Sequence, residues 1–381
     1  MVKVGLDLKE QRDLIAGRRV GLVTNQTGVD GQLRSNVALF AAQQECQLVA
    51  LFGPEHGIWG SAQDAVVIPS TTDGQRRIPI YSLYGETRKP TQEMLAGIDV
   101  MVYDIQDIGT RFYTYISTLL LAMEAAAEHA VDFIVLDRPN PIRGDRLEGN
   151  LLQPAFKSFV GAHPIPIRHG MTVGELASFF KAELNLILPL QIVPICGWSR
   201  SMWYDQSGLL WVPPSPNMPT IDTATLYPGT CLIEGTNLSE GRGTTKPFEW
   251  IGAPWIDADA WAETLNSLEL PGVRFRPVHF TPVFSKYADE QCHGVGIHVI
   301  NRDTAKPIEI GLHLIATLQA GYRDHFEFRQ NRGRFFFDLL AGTDQLRLAL
   351  SEGQSPTEIV QSWSTALQSF ANRRAPHLLY T

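Results

Sequence analysis

The chain has 381 residues, 44% of them hydrophobic, enough to build substantial cores and too many for a disordered chain. Its formal net charge of −8, with both signs interspersed and no basic stripe, excludes an electrostatic nucleic-acid binder. The longest apolar run, Tyr115 to Ala127, is too short to cross a bilayer, so no membrane insertion is expected.

The opening stretch, Met1 to Asp7, lacks the basic-then-apolar run of a secretion signal. As it stands the chain reads as cytoplasmic, and removal of a signal would instead make it exported or periplasmic. From Arg19 to about Asp137, apolar runs alternate with helix-period segments, the pattern of βαβ units and a parallel sheet. Arg19 to Val23 runs into Thr24-Asn25, and Ala50 to Gly53 runs into Pro54-Glu55-His56-Gly57. Ile98 to Tyr103 runs into Asp104-Ile105-Gln106-Asp107, and Phe133 to Leu136 into Asp137-Arg138-Pro139-Asn140. Parallel pairing puts all four polar endings on one edge of the sheet, where open α/β sheets hold ligands. Between the runs, Gln32 to Gln44 reads as a helix with Leu33, Val37, Phe40 and Ala41 on one face, and Tyr115 to His129 as a longer, better-buried one. The long segment carrying Pro69, Pro79 and Pro90 reads as a functional cover.

Prolines crowd the chain after Gly149, so a first domain over 1–150 and a second over 151–381 are expected, with a Pro-rich connecting region at about 185–230. Thr172 with Glu175 forms a capping box opening a helix to Leu184, and Ser355-Pro356-Thr357-Glu358 repeats the signal for the last helix. Asp257 to Leu268 and Pro307 to Tyr322 read as helices and Gly294 to Ile300 as a strand, making the second half mixed α/β. Cys46, Cys196, Cys231 and Cys292 lie far apart with no C-x-x-C pair, and are expected as buried free thiols.

Glu55 is the first candidate for catalysis. A carboxyl at a strand end, shielded by Phe52, Ile58 and Trp59, would be desolvated toward general-acid use. The plainer reading is a helix cap or an arginine partner. His56 stands as a site residue or as a hydrogen-bonded packing group. Asn25, Asp104, Gln106, Asp107, Arg111 and Tyr113 form a dense polar set at strand endings that suits sugar hydroxyls, against the alternative of an Asp107–Arg111 structural pair. Glu234, Asn237, Glu240 and Arg242 lie in a glycine-bearing stretch that lets backbone approach a ligand. Arg168 and His169 stand just before a capped helix, where an anion is favoured.

Neither a G-x-x-x-x-G-K-S/T nor a G-x-G-x-x-G after a strand is present, so no nucleotide is expected. No H-E-x-x-H spacing signals a metal, no G-x-S-x-G signals a serine hydrolase, and no cofactor is expected.

The blocks Val20 to Asn25, Leu51 to Gly57, Asp104 to Thr114, Leu136 to Pro141, His169 to Thr172, Pro214 to Pro219 and Glu234 to Thr245 resemble those of the exo-β-N-acetylmuramidases of bacterial cell-wall turnover, the NamZ-like family formerly catalogued as a domain of unknown function. The resemblance implies a Rossmann-like parallel-sheet domain without a nucleotide, a second α/β domain, and an active cleft between them. That cleft would take a terminal N-acetylmuramic acid from the non-reducing end of a glycan or muropeptide, with Glu55 as the catalytic carboxylate. On that reading Glu55 protonates the glycosidic oxygen and His56 tunes or relays the proton. Glu240 or Asp104, or the sugar's own acetamido group, meets the developing charge. Arg111, Arg168 or Arg242 pairs the lactyl carboxylate. The rival from another class is an amino-sugar or peptidoglycan-binding protein that holds the same ligand without cleaving it.

Overall fold

Four apolar runs form the centre of a seven-stranded sheet in the computed structural model, which describes residues 2–63, 66–331 and 333–381. Its strands are β1 (Arg19–Thr24), β2 (Gln47–Gly53), β3 (Thr71–Thr72), β4 (Pro79–Ser82), β5 (Val100–Asp104) and β6 (Asp132–Leu136); after a separate hairpin of β7 (Glu148–Leu151) and β8 (Pro166–Arg168) comes β9 (Leu190–Val193). The order is β3-β4-β2-β1-β5-β6-β9, and every neighbouring pair except β3–β4 is parallel.

Alternation along each strand divides the core between the two faces of the sheet. Val100 and Val102 join Val20, Leu22 and Leu51 beneath Val37 and Phe40, whereas Met101 and Tyr103 join Val23, Phe52 and Phe133 beneath the helices Tyr115–Glu128 and Val173–Glu183. Cover on both faces is why these strands read as unbroken apolar runs. Full burial of a side chain such as Phe133 contributes about 1.5 to 3 kcal/mol.

Register decides where the site forms. Val23 lies beside both Phe52 and Tyr103, so β1, β2 and β5 finish level and present their following loops at one edge. After β4 the chain returns to the other side of β1 to make β5, and that reversal is where such sheets open a crevice. β9 pairs with β6, so the sheet extends beyond residue 150 and the expected change of domain there falls within its reach.

The helix expected from Gln32 begins only at Asn36, because Leu33 adopts a positive φ of 62° that an α-helix does not accept. The Thr172–Glu175 capping box forms as read. Its counterpart at Ser355 does not: the Ser355 side chain makes no cap hydrogen bond, and the helix Pro356–Ser362 is short and followed by another, Ser364–Arg374. Cysteine burial is also only partly as expected, since Cys231 and Cys292 are buried while Cys196 is exposed.

In the second half, β10 (Trp250–Ala253), β11 (Val273–Phe280) and β12 (Cys292–Val299) make an antiparallel sheet in the order β10-β12-β11, packed by the helix Ala258–Ser267. The helices Ile221–Thr230 and Pro307–Gly321 cross at Gly229 and Gly311, where a Cβ on Gly229 would lie 1.7 Å from the Pro307 carbonyl oxygen. Glycine is required there for backbone to meet backbone.

The C-terminal segment returns to the first sheet. Leu379 N donates to Glu175 Oε1 (2.9 Å), the Tyr380 hydroxyl to Asp137 Oδ2 (2.5 Å), and Arg200 N to the Thr381 oxygen (3.0 Å). Arg374 Nη1 donates to the carbonyls of Gly144, His169 and Gly170 at 3.2, 3.1 and 2.6 Å. No described helix is long and apolar enough to cross a membrane.

Candidate active site

β2 ends at Gly53, and the chain turns sharply through Pro54-Glu55-His56-Gly57. His56 and Gly57 both carry positive φ, 70° and 75°. For histidine this left-handed backbone costs about 1 kcal/mol, the kind of strain that persists where surrounding structure fixes it. His56 Nδ1 lies 2.8 Å from the Ala62 carbonyl oxygen. A carbonyl only accepts, so Nδ1 holds the proton and Nε2 of the neutral ring is the accepting nitrogen. The Glu55 side chain is 8% exposed, and the Thr114 hydroxyl donates to its Oε2 at 2.7 Å. Trp59, expected to shield it, is 62% exposed instead.

Glu55 and His56 border a cavity of about 340 Å³ between the edge of the large sheet and the second half of the chain. From the sheet side, Tyr113 packs edge-on against Tyr115 (4.9 Å) and Tyr227 (5.8 Å), and the Tyr115 hydroxyl donates to the Pro214 carbonyl (2.5 Å). Burial pushes the Tyr113 hydroxyl upward, keeping it a neutral donor. Ser215 and Asn217 come from the proline-rich connector, which Gln26 anchors by donating to the carbonyls of Pro213 (2.8 Å) and Pro214 (3.0 Å).

The second half supplies Glu234 and Arg242. Arg242 Nη2 lies 3.0 Å from Glu234 Oε1, its Nε 3.4 Å from Glu240 Oε1, and its guanidinium 5.0 Å from the Phe248 ring centre. Burial pushes the Glu234 carboxyl up, against the pull of Arg242. Glu240 is pushed up by burial too, but Lys286, 2.9 Å away, and Arg242 outweigh it and hold the carboxyl low. Lys286 also donates to the carbonyls of Ile233 (3.1 Å), Thr236 (2.9 Å) and Leu238 (2.6 Å), so Glu240 and Lys286 brace the turn that presents Glu234.

Of the residues expected in the site, Glu55, His56, Tyr113, Glu234 and Arg242 meet at this cavity. The others do not line it. Asp104 is fully buried, accepting from Arg138 Nε (2.6 Å) and Asn36 Nδ2 (2.7 Å), and Asn25 closes a turn by accepting from Thr27 N at 3.0 Å. Gln106 donates to the carbonyls of Asp107 (2.7 Å) and Pro139 (2.8 Å), while Asp107 accepts from Gly109 N (2.7 Å) and faces His169 Nε2 at 3.6 Å. Neither the Asp107–Arg111 pair nor a ligand-facing Arg111 forms: its guanidinium donates to the carbonyls of Asn150, Ile165, Leu340 and Ala341. Arg168 is held by Glu148 and the Ile142 carbonyl, and Asn237 by His325 O (2.7 Å) and Glu327 N (3.0 Å). Glu240 acts behind Arg242. A polar residue at a strand's end braces the sheet edge as readily as it faces a ligand, and periodicity does not separate the two.

Sequence reading missed Tyr84, Arg88, Thr114, Ser215, Asn217 and Tyr227 on the cavity wall. Ser215 and Asn217 stood in the quoted P-S-P-N-M-P block; Tyr84 and Arg88 lay in the proline-bounded cover with no motif of their own. Among the described residues, no group of three or more His, Cys, Asp or Glu is arranged to hold a metal.

A doubly covered parallel sheet joined to a second α/β unit, with carboxylates from both at one cavity, defines a two-domain α/β protein. The chain belongs to the exo-beta-N-acetylmuramidase NamZ family: the N-terminal family model matches residues 20–222 and the C-terminal model residues 225–380. It is 48% identical over 381 residues to the peptidoglycan beta-N-acetylmuramidase NamZ of Bacillus subtilis (strain 168), covering 100% of this chain and 91% of that protein. Two crystal structures of DUF1343 family proteins from Bacteroides fragilis NCTC 9343 share the fold. One has a TM-score of 0.92 at 40% identity and the other 0.81 at 31%, each covering 100% of this chain and 99% of its own.

Proposed function

We propose that the chain is an exo-acting glycoside hydrolase that releases terminal β-N-acetylmuramic acid from the non-reducing end of peptidoglycan fragments, with Glu55 as its proton donor. The observation that carries this reading is the meeting of Glu55 and Glu234, one from each half of the chain, at one cavity. At about 340 Å³ that cavity is near the small end of ligand-pocket sizes, which suits a single sugar unit and exo action.

Glu55 protonates the glycosidic oxygen as the bond to the anomeric carbon breaks, and the leaving sugar departs as an alcohol. Glu234 takes the place expected for Glu240 or Asp104, facing the positive charge that develops at the anomeric carbon. Water then adds there and passes its proton to one of the two carboxylates, so that the pair again carries the one proton spent on the leaving group. A second reading exchanges the two carboxylates, and it has an observation in its favour: burial pushes Glu234 up, the direction a proton donor needs.

Glu55→Gln and Glu234→Gln, assayed on a chromogenic β-N-acetylmuramide, separate the readings. Loss of the proton donor costs about 10²- to 10⁴-fold in kcat. That loss is largely restored by a leaving group too acidic to need protonation, and the variant that recovers is the donor. Undiminished turnover in Glu55→Gln removes Glu55 from the mechanism. A muramic-acid-terminated disaccharide that survives prolonged incubation intact would favour the binding-protein alternative. The exposed thiol of Cys196 and three further unpaired cysteines fit work in a reducing compartment, which subcellular fractionation tests.

A further inference from the structure

We propose that Arg88 reads the lactyl carboxylate of the bound sugar and so sets the preference for muramic acid over N-acetylglucosamine; the inference rests on the function proposed above and names a residue for its specificity. The two sugars differ by one lactyl ether, whose free acid is an anion at neutral pH. Recognition therefore needs a cation within reach of the cavity.

The guanidinium groups expected for this task are engaged elsewhere. Arg111 is spent on four backbone carbonyls and Arg168 on Glu148 and the Ile142 carbonyl. Arg242 lines the cavity but already lies against two carboxylates, Glu234 at 3.0 Å and Glu240 at 3.4 Å. A third carboxylate there would meet the repulsion of the first two.

Arg88 is placed differently. Its guanidinium lies 4.3 Å from the Phe159 ring centre and 5.4 Å from that of Tyr84, and these two rings pack 5.7 Å apart on the wall of the same cavity. Among the described residues it pairs with no carboxylate. Stacking on aromatic faces holds a guanidinium by its plane and leaves the N–H edge for an in-plane, bidentate partner, the geometry a carboxylate offers. Two rings also restrict a long side chain before the ligand arrives, so less conformational freedom is lost on binding. Because the residue is exposed, its charge stays hydrated while the cavity is empty.

Charge balance leads to the same residue. Among the described residues, the Asp, Glu, Lys and Arg side chains lining the cavity are Glu55, Glu234, Arg242 and Arg88. Arg242 already lies against Glu234 and Glu240, so Arg88 is the cation of this set left to offset an acidic sugar.

The test compares wild type, Arg88→Met and Arg88→Lys on chromogenic β-N-acetylmuramide, its lactyl methyl ester and the β-N-acetylglucosaminide. Wild type should favour the free acid over the ester by about tenfold or more in kcat/KM, the size of one charge-assisted hydrogen-bonded pair. In Arg88→Met that preference should collapse through KM, with activity on the ester and the glucosaminide within about twofold of wild type, and Arg88→Lys should fall between. An acid-to-ester ratio unchanged in Arg88→Met overturns the assignment. If wild type cleaves none of the three, the hydrolase reading fails. Calorimetric binding of free N-acetylmuramic acid against N-acetylglucosamine then decides for Arg88: preference lost in Arg88→Met upholds it, and preference retained, or absent from wild type, overturns it.

Discussion

Thr114 Oγ1 donates a 2.7 Å hydrogen bond to Glu55 Oε2 from the N-cap position of the helix Tyr115–Glu128. A helix fixed under the large sheet thereby sets the orientation of a carboxyl carried on the next-but-one strand's loop. Thr114→Val keeps shape and volume but removes the donor. It should lower kcat by roughly tenfold, the worth of about 1.4 kcal/mol for one orienting hydrogen bond, while the melting temperature moves little. Steady-state kinetics beside a thermal melt check both halves, and unchanged kcat would mean that the bond does not orient Glu55.

His56 sits in left-handed backbone that glycine adopts freely. His56→Gly should therefore relieve about 1 kcal/mol of strain, offsetting much of the lost packing and the bond to Ala62. The expected result is stability within about 1 kcal/mol of wild type by urea unfolding, with clearly reduced turnover. Full activity in a stable variant would leave His56 a packing residue.

Asp137 offers a pH prediction. Burial pushes its carboxyl up to about 7, against the hydrogen bonds from Tyr380, Gly174 and Thr172, and the neighbouring Glu175 charge adds to the rise. The folded state therefore holds a proton that the unfolded chain releases near 3.8. The resulting stability is complete below that value and is lost as pH rises toward 7, at up to about 1.4 kcal/mol per pH unit. Asp137→Asn cannot titrate, so its urea midpoint should gain on wild type between pH 5 and pH 8. Parallel pH profiles for the two proteins would sink this account.

At the helix crossing, Gly229→Ala forces a methyl to within 1.7 Å of the Pro307 carbonyl oxygen unless the helices part. Overpacking of this kind costs about 1 to 3 kcal/mol, and more where only backbone can yield. The urea midpoint should fall with the slope unchanged. Because the helix Ile221–Thr230 also carries Tyr227 to the cavity wall, KM should rise in step.

The sheet was legible because strands buried on both faces must be apolar throughout, and Val100 to Tyr103 or Phe133 to Leu136 admit little else. The Glu55 turn was legible for a related reason: a carboxylate and an imidazole among glycines, at the end of such a run, are costly unless used. What could not be read was direction. Asp104 and Glu55 both follow strands, yet one faces Arg138 inside the edge and the other faces the cavity. That choice depends on neighbours 34 residues away in the chain, and in the case of Arg111 on carbonyls more than 200 residues away. Arg88 and Tyr84 carry no periodic or motif signal because their role arises only from meeting Phe159 across the fold.

The return of residues 379–381 to Asp137, Glu175 and Arg200 has a bearing on how the protein is made. A nascent chain with β1 to β9 already outside the ribosome still lacks the hydroxyl that covers Asp137 and the backbone N–H that meets Glu175. The contacts that close over these two buried carboxyls therefore form only once residues 379 and 380 have been synthesised, and their removal would uncover Asp137 and Glu175 together.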